Sequence, residues 1–303
     1  MRLILTLIAT ALPAASQQAI SLLALDRQNQ PLLDLQVSDL RLSDNKHSVP
    51  IASLTRVQAG SPIVVLYDLL NTAIGERGDS PPRIAAALQS LPPLTPVYMY
   101  VLSGDAALVP VHGLNAPESP AWPRDADNLI DAALRRLSAV RSNEYAATGA
   151  RVGASYRALD RLGKLMSSKP GRKSIVWITR GIPLHMVSTE DSAVDFLPVL
   201  REAAGVLAAK QVAIYAVKQT TSPVAGTLDS RPMTLEQFSS ITGGRAYLTE
   251  TIDRALADAV RDAASSYLLT FQAKPDSAFH ALRITGSRPG MRIQSPQGYV
   301  VDP

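Results

Sequence analysis

The stretch Ser61–Gly78, SPIVVLYDLLNTAIGERG, closes an apolar run on a single carboxylate, Asp68, and continues with Leu69, Leu70, Asn71 and Thr72. A carboxylate there can ligate a hard cation, attack a phosphoryl group or act as a base, and each chemistry demands a particular second group. A D-x-D-x-T phosphatase pattern needs an Asp where this chain has Leu70. A phosphate-binding loop needs glycines with a Lys, and the segment has no Lys. A D-x-S-x-S cation pattern joins one carboxylate to two hydroxyls, and here its three positions read Asp68, Leu70 and Thr72.

Other reactive residues do not converge in sequence. His47, His112, His185 and His280 show no metal-ligand spacing, and no G-x-S-x-G nucleophile turn occurs. Asp191 and Asp195 stand four apart and read as the acidic start of a helix. Arg151, Arg157, Arg161 and Lys164 read as one solvated helical face. No general acid, base and nucleophile assemble, so the expectation is a protein that is not an enzyme.

Asp68 must be positioned by the elements around it. Four Val- and Ile-rich runs, PIVVLYD, VYMYVLSG, KSIVWITRG and QVAIYAVK, have the composition of strands buried on both faces of a parallel sheet. Between them apolar residues recur at helical spacing: Ala126 to Leu137, Val152 to Met166, Leu197 to Leu207, and Ile252 to Ala263. SPPRIAAALQSLPPLTP reads as a short helix bounded by prolines. The alternation predicts an α/β fold, a doubly wound and mostly parallel sheet with helices on both faces. Short alternating strands flank it: AISLLALDRQ, NQPLLDLQVSDLRLSDN and VPIASLTRVQ before, SYLLTFQAK, FHALRITGS and MRIQSPQGYVV after. These two segments are expected to pair as one small β module, since neither buries a face alone. Asp68 then lies at the carboxyl end of the first strand of the sheet, where open α/β folds bind ligands.

The chain of 303 residues is 46% hydrophobic and 18% charged, so it can bury a large core. It contains no Cys, which excludes disulfides, thiol catalysis and a lipidated Cys anchor. The formal net charge is +4 with the bases spread along the chain, which gives no support for nucleic-acid binding. MRLILTLIATALPAASQQ reads as a signal peptide cleaved near Ser16, giving a secreted or periplasmic protein with no stable membrane insertion afterwards. The expected partition is residues 1–16 signal peptide, 17–58 N-terminal β segment, 59–264 α/β domain and 265–303 C-terminal β segment.

Several of these stretches together resemble a family. LLALDRQNQPLLDLQVSDLRLSDNKHSVPIASL, IVVLYDLLNT, TGGRAYL and YLLTFQAK with HALRITGSRPGMRIQSPQGYVV are similar, in order, to the von Willebrand factor A-related proteins of the Acidobacterial type. The resemblance implies an A domain whose cation-dependent adhesion site is degenerate. Asp68 and Thr72 match its first motif, but Leu70 stands for the middle hydroxyl; Asn71 lies between them. Thr148 in AATGARVGASYRAL matches the second element, unless it only caps a helix, and Arg180 in WITRGIP replaces the Asp of the third. Arg offers donors alone and cannot ligate, so it is expected to pair with Asp68 where a cation would sit. The implied function is non-catalytic binding of a protein or cell-envelope partner, without a cofactor. Two alternatives stand beside it. One retains Mg²⁺ through Asp68, Thr72 and Thr148; the other is a divergent Mg²⁺-dependent hydrolase using Asp68.

Overall fold

The computed structural model describes residues 16–57, 60–72, 80–117, 119, 121–137, 143–187, 193–219, 230–249, 251–274 and 276–301. The signal-peptide reading of residues 1–15 and Asp191 lie outside them. In chain order the first half runs β1 (Ser16–Leu25), β2 (Leu40–Asp44), β3 (His47–Val49), β4 (Ile51–Arg56), β5 (Ile63–Asp68), α1 (Ser80–Gln89), β6 (Val97–Leu102), β7 (Leu108–His112), α2 (Ala126–Arg136) and α3 (Thr148–Met166). The second runs β8 (Lys173–Thr179), β9 (His185–Val187), β10 (Ala193–Asp195), α4 (Leu197–Ala209), β11 (Val212–Lys218), α5 (Arg231–Thr242), β12 (Arg245–Tyr247), α6 (Ile252–Ala264), β13 (Tyr267–Ala273), β14 (Phe279–Gly286), β15 (Arg292–Gln294) and β16 (Gly298–Val300).

A six-stranded sheet in the order β12-β11-β8-β5-β6-β7 forms the centre, all parallel except the edge pair β6–β7. Every residue of β5 and β8 is buried, which is why these strands read as unbroken apolar runs. Leu159 and Leu162 of α3, Leu200 of α4 and Phe238 of α5 pack on one face with Val64, Leu66 and Trp177. Ile84 of α1, Ile130 of α2 and Leu256 of α6 cover the other with Val65, Tyr67 and Ile178. The fold is therefore mixed α/β with helices on both faces of the sheet. Among the described residues no helix is long and apolar enough to cross a membrane.

Some elements differ from the sequence reading. Helix α5 was not anticipated, because its buried hydrophobic residues Leu235, Phe238 and Ile241 are matched by as many buried polar ones, Thr234, Ser239 and Thr242. Strand β7 was missed too; with Pro110 inside it, it sits at the sheet edge, where a missing N–H is harmless. The stretch from Asn29 to Asn45 forms a strand only over β2, after an isolated Leu25–Pro31 bridge and a 3₁₀ turn at Val37–Asp39. The closing MRIQSPQGYVV is split into β15 and β16 around Ser295–Pro296.

The flanking segments form two antiparallel sheets, β15-β1-β13-β4 and β16-β14-β2-β3. Strand β13 lies between β1 and β4, so the C-terminal chain completes a sheet begun by the N-terminal one. Ile20, Leu22, Leu42, Leu269, Phe271, Ile284 and Tyr299 fill the space between the sheets, and Ala208 of α4 joins them. A buried histidine sits there: both ring nitrogens of His280 lie 2.9 Å from carboxylates, Nδ1 on the buried Asp44 and Nε2 on the exposed Asp276. The Tyr299 hydroxyl donates to Asp44 at 2.7 Å.

Arg172 ties this β module to the α/β layer. Its guanidinium is fully buried and donates to Ser21 Oγ in β1 (3.2 Å), to the Tyr215 hydroxyl in β11 (3.3 Å) and to the carbonyl of Gly243 (2.6 Å). The Tyr215 hydroxyl donates at 2.7 Å to Asp262 of α6, so one phenol links the buried cation to a carboxylate. Truncating such a fully buried side chain leaves a cavity and unpaired polar groups, at about 3–5 kcal/mol. Arg172→Ala is therefore expected to lower the melting temperature by on the order of 10 °C, with a thermal melt as the check. A change within a degree or two would show that Arg172 does not hold the layers together.

The neighbouring Lys173 starts β8 buried, its ammonium donating to the Lys169 carbonyl at 3.1 Å. Burial lowers its pKa from 10.5 to about 8. Below pH ~8 both folded and unfolded chains carry the proton, and folding bears the full cost of burying the charge. Between pH ~8 and ~10.4 the unfolded chain holds more protons, so stability rises with pH. Lys173→Met is expected to raise stability at pH 7 by about 1–3 kcal/mol and to flatten that rise in denaturant titrations across pH. An unchanged slope in the variant would assign the rise elsewhere.

Candidate functional site at the carboxyl end of the central sheet

Strand β5 is flanked by β8 and β6, which places Asp68, its last residue, at the carboxyl end of the middle of the sheet. The side chain is fully buried. Alternation along adjacent parallel strands sets Asp68 on the same face as Trp177 and Thr179 of β8. Four donors converge on its carboxylate. The Asn71 backbone N–H (3.1 Å) binds Oδ1, while Asn71 Nδ2 (2.8 Å), Thr179 Oγ1 (2.8 Å) and Trp177 Nε1 (3.3 Å) bind Oδ2. Burial pushes the Asp68 pKa up, and the bonds from Asn71 and Thr179 oppose that shift.

The groups that hold these donors are neutral as well. Asn71 Nδ2 also donates to Ser155 Oγ (2.8 Å), whose hydroxyl donates to the Arg151 carbonyl (2.9 Å). The Thr72 hydroxyl lies 2.6 Å from the Asp68 carbonyl oxygen and 2.7 Å from Gln219 Oε1. Its one hydrogen serves one of them at a time. Gln219 donates through Nε2 to Ser80 Oγ (3.2 Å), so the chain of bonds links the end of β5 to the residue after β11 and to the start of α1. Thr179 Oγ1 accepts the Gly181 N–H at 3.0 Å. Gly181 adopts φ +88°, and a Cβ there would meet Arg231 Cβ at 2.9 Å, so this turn requires glycine.

The residues singled out in the sequence divide into two groups. Asp68, Asn71 and Thr72 share this network, whereas Leu70 is fully buried in the hydrophobic layer with Trp177 and Phe238. The expected pair between Asp68 and Arg180 is not formed, since every partner of the carboxylate is a neutral donor. The reason is strand alternation: Arg180 follows Thr179, and the residue whose side chain reaches Asp68 is Thr179. Nor does Thr148 join. It is the first residue of α3 rather than its cap, and its hydroxyl accepts from Arg151 Nη2 at 2.9 Å. Ser155, about 10 Å further along the helix, is the α3 residue that reaches the network. Asp195 belongs to β10, not to a helix, and its Oδ1 accepts the Leu197 N–H that opens α4 (2.9 Å).

Ser155, Trp177, Thr179 and Gln219 were not anticipated. One signal was available: β5, β8 and β11 are adjacent, and each apolar run gives way to polar residues at its carboxyl end, in Asp68, Thr179 and Lys218–Gln219.

These residues do not fit a divalent cation. Mg²⁺ requires about six oxygen ligands at ~2.1 Å, and the one carboxylate present already accepts four hydrogen bonds. An ion reaching Asp68 would face the positive ends of those donors. The arrangement instead stabilises a buried carboxylate with oriented neutral dipoles.

No protein-family profile matches the chain, and no curated protein matches it by sequence. Among solved structures, an aerotolerance-related membrane protein from Bacteroides fragilis NCTC 9343, carrying multiple mutations to serine, is similar at a TM-score of 0.41 and 14% identity. The match covers 67% of this chain and 98% of that one.

Whether Asp68 serves structure or chemistry is decided by its energetic sign. Asp68→Asn puts an amide N–H₂ against donors, and an unsatisfied buried donor costs about 1–3 kcal/mol. The expected outcome is a destabilisation of about 2–3 kcal/mol in chemical denaturation. A more stable variant would mean that the fold holds this carboxylate at a cost, as catalytic sites do.

Proposed function

We propose that this chain is an exported, von Willebrand factor A-like interaction module that binds a protein or cell-envelope partner at the carboxyl end of its central sheet without a metal ion and without catalysis. One observation carries the reading: the fully buried Asp68 carboxylate accepts four hydrogen bonds, all from the neutral donors of Asn71, Thr179 and Trp177. A carboxylate so held, and fully buried, keeps the strand ends in register. The burial of Leu70 supports the same reading, because the middle position of the cation pattern is given over to core packing.

On this reading Arg180 and Arg231, half-buried beside the Gly181 turn, lie at the binding end, and the partner is held there without dependence on a metal ion.

The full chain is mixed with a detergent-solubilised envelope fraction and cross-linked, in parallel with Arg180→Glu. A partner captured equally in ~1 mM Mg²⁺ and in EDTA, and lost in the variant, is the expected result; Mg²⁺ should also leave the melting temperature unchanged. Capture only with Mg²⁺, or a melt that responds to the ion, would restore the cation-dependent reading. Turnover of phosphate or carboxylate esters abolished by Asp68→Asn would replace it with the hydrolase.

A further inference from the structure

A cavity of about 810 Å³ opens between β12, α6 and the β14–β15 side of the β module. It is removed from Asp68. Arg172, just before the amino end of β8, reaches the Gly243 carbonyl on the cavity wall, whereas Asp68 closes the carboxyl end of β5. The wall carries five arginines, Arg245, Arg254, Arg261, Arg283 and Arg292, and one carboxylate, Asp258.

Two of the five are neutralised. Arg245 bridges Asp258 and Asp262 at 3.0 and 3.2 Å, and Arg261 meets the same two acids at 2.7 and 3.1 Å. This quartet is electrically balanced. Arg254, Arg283 and Arg292 are exposed and make no ion pair among the described residues. Arg254, Asp258 and Arg261 share one face of α6, at spacings of four and three residues. Arg292 shares its face of β15 with Gln294, whose amide donates to the Gly243 carbonyl at 2.9 Å and whose Oε1 accepts from Arg245 at 2.9 Å. The cavity therefore has a fixed polar floor with surplus positive charge around it.

Three guanidinium groups on a concave surface repel one another and concentrate a positive potential, which an anion relieves. Their planar forks match carboxylate and phosphate oxygens two at a time. The volume lies in the range of small-molecule sites. The geometry points to a binding site for a small ligand bearing two or more oxyanion groups, carboxylate or phosphate. This site is independent of the proposed partner surface.

The test is calorimetric titration of the full chain at roughly 50 mM salt with citrate and with pyrophosphate, against acetate as a single-charge control. Saturable binding of citrate or pyrophosphate is expected, at least tenfold tighter than acetate and weakened at roughly 300 mM salt. The variant Arg254→Gln/Arg292→Gln, both exposed positions, should melt as the wild type does and bind at least tenfold more weakly. Arg157→Gln/Arg161→Gln, on α3, should bind like the wild type. A preference for citrate assigns a polycarboxylate ligand and a preference for pyrophosphate a phosphate-bearing one. Absence of saturable binding by both, or equal binding by the Arg254/Arg292 variant, would overturn the site.

Discussion

A fully buried guanidinium, that of Arg172, is the interaction on which the arrangement of layers depends. Desolvating an unpaired charge is far more costly than any one hydrophobic contact can repay. The fold meets this with Ser21, Tyr215 and the Gly243 carbonyl, drawn from the β module, the central sheet and the turn before β12. Through Tyr215 the charge is coupled to Asp262, which also receives Arg245 and Arg261. Three parts of the chain, separated by up to some 220 positions, are thus fixed relative to one another by one side chain.

The two ends of the sheet solve a similar problem with different means. At the amino end the buried charge is positive, and its compensation runs through Tyr215 to the buried acid Asp262 of α6 and on to the arginines that pair with it. At the carboxyl end it is negative, and Asp68 is compensated by neutral donors alone. The first solution leaves a lattice of charges that extends to solvent around a cavity. The second is closed, with donors and acceptors largely consumed internally. A closed network suits a structural role beneath a contact surface; an open one suits recognition of a charged ligand.

Much of the fold was legible in the sequence because burial on both faces leaves a plain mark. Strands β5, β6, β8 and β11 appeared as Val- and Ile-rich runs, and α2, α3, α4 and α6 as apolar stripes at helical spacing. Helix α5 left no such stripe, because it packs Thr234, Ser239 and Thr242 inward beside Leu235 and Phe238. The Asp68 site was legible only locally. Asn71 and Thr72 lie close enough in sequence to be suspected, but Thr179 and Ser155 come from elements more than 80 positions away.

Sequence by itself determined the alternation of strands and helices, the absence of thiol chemistry, and the position of one carboxylate at a strand end, since all three follow from composition and local periodicity. Only the tertiary structure decided what surrounds that carboxylate. Strand alternation brings Thr179 to Asp68 and not Arg180, and helix pitch brings Ser155 and not Thr148. Which of two adjacent residues faces a site depends on the register between β5 and β8, a non-local property fixed by packing.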